Sequence, residues 1–353
     1  MLDADLRAWL SDNAGSLDTS NELAEQVLPR LGAAGLYRLG VPERWGGRGG
    51  SVAGAMQAIA ELAGLSLTAA FVCWGQRAFI EYLLHTDNAS LRERYLPALL
   101  AGELAGATGL SNAIKFLSGL EGLQVEAQPT AAGFVLSGRL PWVTNLRKQG
   151  FLVACAVSHP DAPPSIFAVP HESAGLTRSA DLDLIALRGS NTAAIALDAV
   201  SLASEYRVHA DARAFLREVR PAFLGLQCGL SYGLAEAAIR CSQELRGPGR
   251  SVVEQPLEAL HARLRATWQT LSDGVCSGEY VQAARPLFEQ RIALAEIASE
   301  AVQLELQASG GKAYLRADER GFARRWREAA FVPIVTPSLV QLKAELAAQD
   351  RAR

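Results

Sequence analysis

The sequence predicts an α+β chain in three parts: a helical domain over residues 1–105, a β domain over 106–208 and a helical bundle over 209–353. Two observations carry this. Apolar residues recur three and four apart at both ends of the chain, which is the helical period. Between them lie short, β-branched or alternating runs separated by turn residues, which is the strand signal. Several such strands in a row, with no helices between them, point to an antiparallel sheet, sandwich or barrel.

In the first part, Val52–Ala63 and Leu91–Leu100 show the helical spacing, and the polar stretch Asp87–Ser90 offers a helix entry. The segment VPERWGGRGGS (41–51) is too rich in proline and glycine to be anything but a loop. Its GGRGG has the composition of a phosphate loop but lacks the Lys-Ser/Thr that follows one, so it reads as a turn.

Five runs of strand length follow: LQVEA (123–127), FVLSG (134–138), FLVACAV (151–157), SIFAVP (165–170) and AAIALDAV (193–200). The stretches PTAAG, HPDAPP and HESAG between them supply turns. Helical character returns after Asp211. Leu216–Leu245 is rich in Ala, Leu and Gly, small enough for close helix packing, and Leu257–Leu271 and Leu287–Ser309 are each long enough for one rod of a bundle.

Composition narrows the function classes. Of 353 residues, 49% are hydrophobic and 20% charged, enough apolar material for a large core. A formal charge of -3 gives no electrostatic reason to expect nucleic acid or an anionic membrane as partner. No uninterrupted apolar run reaches the roughly 18 residues of a membrane span, and the acidic start MLDADLRAWLSDNAG does not read as a signal sequence. Five cysteines, widely spaced and with no CxxC pair, fit reduced thiols in a cytoplasm rather than disulfides or zinc.

Five stretches in order resemble the acyl-CoA dehydrogenase family. They are GLYRLGVPERWGG (35–47), RERYLPALLAGELAGATGLS (92–111), GFVLSGRLPWVTN (133–145), LRGSNTAAIALDAV (187–200) and QASGGKAYLRADERGFARRWREA (307–329). The resemblance spans roughly residues 20–343. It implies a helical domain, a central β domain and a C-terminal four-helix bundle, assembled as a homotetramer or dimer. It also implies FAD between the β domain and the bundle, with its pyrophosphate touched by a neighbouring subunit. The implied partners are an acyl-CoA or related substrate and an electron acceptor such as an electron-transfer flavoprotein.

The same resemblance assigns roles. Leu110 and Ser111 would offer donors to the flavin edge, Trp142 would lie against the ring and Thr144 would reach its N5 side. Read alone, WVT is first a core tryptophan beside a β-prone threonine, and the flanking pattern is what turns it towards the flavin. Gly310 and Gly311 would let backbone N–H groups approach a pyrophosphate, with Gln307 in support; they also read as a helix C-cap. Arg246 would supply a cation to the pyrophosphate, although QELRGPGRSVVEQ (243–255) departs from the family's arginine and phenylalanine-glycine. Trp74 falls where the family lines its acyl pocket, and a buried core tryptophan fits the same position.

The reaction of the family removes a proton from the α carbon of an acyl-CoA thioester while hydride leaves the β carbon for the flavin, and a carboxylate takes the proton. The alignment places Thr336 at that carboxylate, with Ser338 two residues on. A branch of the family draws its base from the first long bundle helix, where Val219 aligns and Glu218 is adjacent; one residue turns a side chain by about 100°. Three readings therefore stand: an acyl-CoA dehydrogenase with Thr336 replacing the base, a flavin monooxygenase of the same fold, or a non-catalytic flavin- or acyl-CoA-binding homologue.

Overall fold

The computed structural model describes residues 2–117, 121–245, 249–315 and 320–351. Five helices lead the chain: α1 (Ala4–Thr19), α2 (Ala24–Ala33), α3 (Val52–Ala63), α4 (Leu67–Leu84) and α5 (Ala89–Ala101). Their starts are set by short polar side chains. Asp3, Ser66 and Asn88 accept hydrogen bonds from the N–H groups of Leu6, Ala69 and Leu91, so each satisfies a donor the helix leaves open. Helix α4 is buried along nearly its whole length and on every face. It is the central rod of the N-terminal part.

The middle of the chain forms eight strands: β1 (Ala105–Thr108), β2 (Val125–Thr130), β3 (Gly133–Val143), β4 (Phe151–Val157), β5 (Ser165–Pro170), β6 (Leu176–Arg178), β7 (Ala193–Leu202) and β8 (Arg207–His209). Helix α6 (Ser111–Leu117) sits between β1 and β2. The strands make two four-stranded sheets, ordered β1-β4-β5-β8 and β2-β3-β7-β6. Two open sheets are a sandwich, not a closed barrel. One pairing is parallel, β1 on β4, because α6 and the chain after it carry β1 away from its neighbour in sequence. Strands β4 and β5 are buried at every position, which explains why FLVACAV and SIFAVP show no alternation. Pro129 and Thr130, which the sequence suggests as turn, are paired in β2 with Phe134 and Gly133.

The C-terminal part is built on three long helices: α7 (Ala212–Gln243), α8 (Glu254–Ser277) and α10 (Ala284–Ser309), with the single turn α9 (Glu279–Gln282) before the last. Two shorter helices, α11 (Phe322–Phe331) and α12 (Leu339–Arg351), pack on them in place of the fourth long rod. Helix α7 passes through Pro221 without a break. By length and composition it is apolar enough to cross a bilayer, which reading uninterrupted runs missed, but 83% of its most apolar window is buried inside the fold. Its glycines set the packing distance. A Cβ at Gly233 would stand 1.9 Å from the carbonyl oxygen of Ala60 on α3, so only glycine lets the two helices meet there.

Candidate functional site

A cavity of about 520 Å³ opens where the helical start of the chain, the sandwich and the C-terminal helices converge. Phe71 and Trp74 reach it from α4, Thr108 and Ser111 from the end of β1, and Trp142 and Thr144 from the end of β3. The loop before β7 adds Leu184 to Leu187 and Thr192. Arg327, Phe331, Ile334, Val335, Thr336 and Ser338 close it from the α11–α12 turn.

Three buried polar groups hold these walls in register. Gln76, on α4, accepts from the Gly106 N–H at 2.6 Å and from Asn145 Nδ2 at 2.9 Å, while its own amide donates to the carbonyls of Leu99 and Leu104. Asn145, two residues past the end of β3, has a left-handed φ of 64°, a conformation asparagine tolerates better than most residues, and so fixes the exit of the strand that carries Trp142. Asp18, fully buried on α1, accepts from the Leu187 N–H at 3.0 Å and from Arg327 Nε and Nη2 at 2.9 and 2.6 Å. Arg291, buried on α10, donates Nε–H to Gln227 Oε1 and Nη2–H to the Val332 carbonyl, each at 2.8 Å, and Gln227 Nε2 donates to the Thr336 carbonyl at 2.8 Å.

The lining is apolar with a polar edge. Trp142 is 61% exposed, and Ile185 and Ile334 are 82% and 67% exposed, an uncovered state that large apolar side chains rarely keep without a partner surface. Thr144 lies beside them, nearly buried, with its hydroxyl 3.1 Å from that of Thr192, which in turn meets Ser190 at 2.8 Å. Arg327 is the one charged side chain on the wall among the described residues, and no Asp or Glu lines it. The adjacent Glu328 accepts Arg324 Nη1 at 2.7 and 2.8 Å and the Leu67 N–H at 3.0 Å, and burial raises its pKa. A flat, largely apolar ring with hydrogen-bonding atoms along one edge fits these walls. That is the shape of the flavin the sequence resemblance implies.

Of the residues expected from sequence, the fold brings Trp74, Ser111, Trp142, Thr144, Thr336 and Ser338 to this one cavity. Trp74 is both core and wall: it stacks on Phe71 at 5.3 Å, meets the edge of Phe223 at 5.1 Å and donates Nε1–H to the Phe223 carbonyl at 3.3 Å. Ser338 also caps α12, accepting from the Gln341 N–H at 3.3 Å while its own N–H donates to Gln341 Oε1 at 2.6 Å. Leu110, in the short link between β1, which ends at Thr108, and α6, which starts at Ser111, lines a smaller neighbouring cavity instead. Glu218 is exposed on α7 and lines neither cavity, whereas Val219, 100° around the helix, faces the smaller one. Gln307, Gly310 and Gly311 stand at the C-terminal end of α10, outside both cavities. Gly310 has φ 63° and ψ −156°, backbone essentially reserved for glycine, and a Cβ on Gly311 would meet nothing within 4 Å. Arg246 lies outside the described residues.

Sequence reading missed Asp18, Gln76, Gln227, Arg291 and Gln341. One had a usable signal. Arg291 falls on the stripe Leu287, Leu294, Ala298, so a charge sat where the helical period demands burial.

Comparison with known proteins agrees with the geometry. Residues 5–103 match the acyl-CoA dehydrogenase N-terminal domain. A probable acyl-CoA dehydrogenase, YngJ of Bacillus subtilis (strain 168), is 24% identical over 347 residues, covering 92% of this chain and 89% of that protein. Butyryl-CoA dehydrogenase from Megasphaera elsdenii superposes with a TM-score of 0.82 at 19% identity, covering 98% of this chain and 94% of the other. KijD3, in complex with FMN and dTDP-3-amino-2,3,6-trideoxy-4-keto-3-methyl-D-glucose, superposes with a TM-score of 0.79 at 20% identity over 99% and 92% of the two chains.

Proposed function

The chain belongs to the acyl-CoA dehydrogenase family, and from that premise we propose that it is a flavin-dependent oxidoreductase holding FAD in the 520 Å³ cleft. The observation that carries this reading is Trp142, an exposed indole at the end of β3 facing a cavity with hydroxyl groups on its rim. Ser111 and Thr144 would donate to the edge of the ring, and Trp142 would cover one face. Bound flavin supplies a hydride acceptor. Phe71, Trp74 and Phe331 keep water from the reacting carbon, and the Arg291–Gln227 pair holds the Thr336 carbonyl in place. Gln307, Gly310, Gly311 and Arg246 would serve the pyrophosphate of a neighbouring copy, which makes the working form a homo-oligomer.

The reaction closest to the family is α,β-dehydrogenation of an acyl-CoA thioester, passing electrons on to an acceptor such as an electron-transfer flavoprotein. Thr336 stands where the base belongs, and a neutral hydroxyl does not take a proton from carbon unaided near neutral pH. The lack of any Asp or Glu on the cleft wall, among the described residues, favours a second reading. A monooxygenase of this fold, using oxygen and a substrate with its own nucleophile, needs no carboxylate. The KijD3 complex shows the fold accepting FMN with a nucleotide-linked amino sugar.

Visible absorbance of the purified protein tests the common premise, and a preparation that takes up no flavin from excess FAD overturns it. Bleaching of the flavin by an acyl-CoA panel without oxygen supports dehydrogenation. Oxygen consumption with reduced flavin, and no bleaching by any acyl-CoA, supports the second reading.

A further inference from the structure

The cleft has walls of two kinds. The sandwich and its connections contribute hydroxyl groups, aliphatic side chains and the indole of Trp142. Everything that α4 and α7 send into it is aromatic: Phe71 and Trp74 from the first helix, Phe223 from the second. Helix α11 adds Phe331. Aromatic residues make up 7% of the chain, so composition alone does not account for a helical wall of rings.

The four rings form one ordered set. Phe71 and Trp74 lie parallel, 5° apart in plane, with centroids 5.3 Å from each other. Phe331 meets Phe71 at 4.8 Å and 71°, and Phe223 meets Trp74 at 5.1 Å and 60°. These are the stacked and edge-to-face arrangements that ring quadrupoles favour. The set is also pinned. Trp74 Nε1–H donates to the Phe223 carbonyl at 3.3 Å, tying α4 to α7 across 149 positions, and Phe71, Trp74 and Phe223 are all buried. Phe331 is half-buried and forms the open end of the set. No methionine lines the cleft among the described residues, so this wall lacks the side chain that remoulds itself around ligands of different shape. A fixed wall of rings selects by shape. A flat ring can extend a stack or an edge-to-face contact, whereas a puckered ring of similar bulk brings fewer atoms to the wall and has no quadrupole to align.

We infer that the substrate carries a planar aromatic group, which docks against Phe71, Trp74 and Phe331 on the helical wall of the cleft. This rests on the cleft being the flavin and substrate site, and it names the substrate class of that site: an aryl-bearing molecule. It holds for either reaction, because it concerns the group that is bound and not the bond that changes. Trp74 and Phe331 are then specificity-determining residues as well as parts of the core.

The test is calorimetric titration of the protein as purified with two pairs of probes that differ only in the saturation of a ring. One pair is the CoA thioesters of 3-phenylpropionate and 3-cyclohexylpropionate; the other is the two free acids. Transfer from water favours the cyclohexyl member, which has the larger apolar surface, so hydrophobicity alone gives the opposite preference. In at least one pair the phenyl member binds about three- to tenfold tighter, the range that an added aromatic contact predicts. Phe331→Leu, at a half-buried position, reduces the preference to about twofold or less. Ile185→Ala, at the exposed aliphatic rim, weakens both members alike and leaves the preference intact. No phenyl preference in either pair, or one that survives both Phe331→Leu and Trp74→Leu, overturns the inference; should Trp74→Leu fail to fold, Phe331→Leu decides alone. A preference abolished by Ile185→Ala would put the ring at the rim and overturn it as well. Flavin absorbance read on the same samples separates the two levels: flavin present without phenyl preference sinks this inference alone, whereas no flavin at all sinks the reading it rests on.

Discussion

Arg291 and Gln227 form a buried relay that ends on the backbone of the cleft. Nε of the arginine meets Oε1 of the glutamine at 2.8 Å, and the glutamine amide meets the Thr336 carbonyl at the same distance. A guanidinium with no carboxylate among its hydrogen-bond partners, whose proton affinity burial lowers, is costly to keep. Its return is geometric: it grips the carbonyl of Val332 directly and that of Thr336 through Gln227, so the turn carrying Thr336 has one position. Gln227→Leu leaves the Thr336 carbonyl and Arg291 Nε unsatisfied. The expected loss is about 2–4 kcal/mol in urea denaturation, with weaker flavin retention. A variant as stable as the parent would show that water replaces the relay.

Trp142 contributes little to the fold by itself, since most of its side chain is uncovered. Trp142→Ala should shift the flavin-free unfolding free energy by no more than about 0.5 kcal/mol, as for other surface sites. Flavin affinity should fall about tenfold or more, because an aromatic face against the ring is lost. Equal affinity in titrations of FAD followed by fluorescence would remove Trp142 from the site.

Thr336→Glu puts a carboxylate on the cleft wall. If the chain is otherwise equipped for dehydrogenation, anaerobic bleaching by the right acyl-CoA should accelerate by about a hundredfold, within the range positioned bases provide. Glu218→Gln should leave any bleaching of the parent unchanged, since that side chain lines neither cavity. Loss of bleaching in Glu218→Gln would place the base on α7 after all.

Glu328 makes stability depend on pH in a definite direction. Its folded pKa is raised, chiefly by burial, above the ordinary carboxylate value of 4.5, with Arg324 opposing the shift. The folded state therefore holds this proton more tightly than the unfolded one. Stability from this group is complete below pH 4.5, falls as pH rises towards the raised value and is level beyond it, with a slope of at most about 1.4 kcal/mol per pH unit. Glu328→Gln should flatten that part of a urea-denaturation profile. A parent profile that instead rises with pH relative to the variant would mean that the Arg324 pairing outweighs burial.

Much of this protein is written locally. The helical period, the strand runs and the polar helix entry at Asp87–Ser90 act within a few residues, so three parts in the order helices, β module, helices could be read without coordinates, while the choice between barrel and sandwich could not. The meeting of Trp142, Thr144 and Thr336 could also be read, through motifs in a familiar order. Other features depend on partners far away in the chain. Asp18 and Arg327 are 309 positions apart, and Gln76 with Asn145 and Arg291 with Gln227 are separated by 69 and 64. The parallel pairing of β1 with β4 and the packing of Phe331 on Phe71 belong to the same class. A buried polar group is defined by the donor or acceptor that satisfies it or fails to, and sequence spacing carries no record of that partner until the chain has folded.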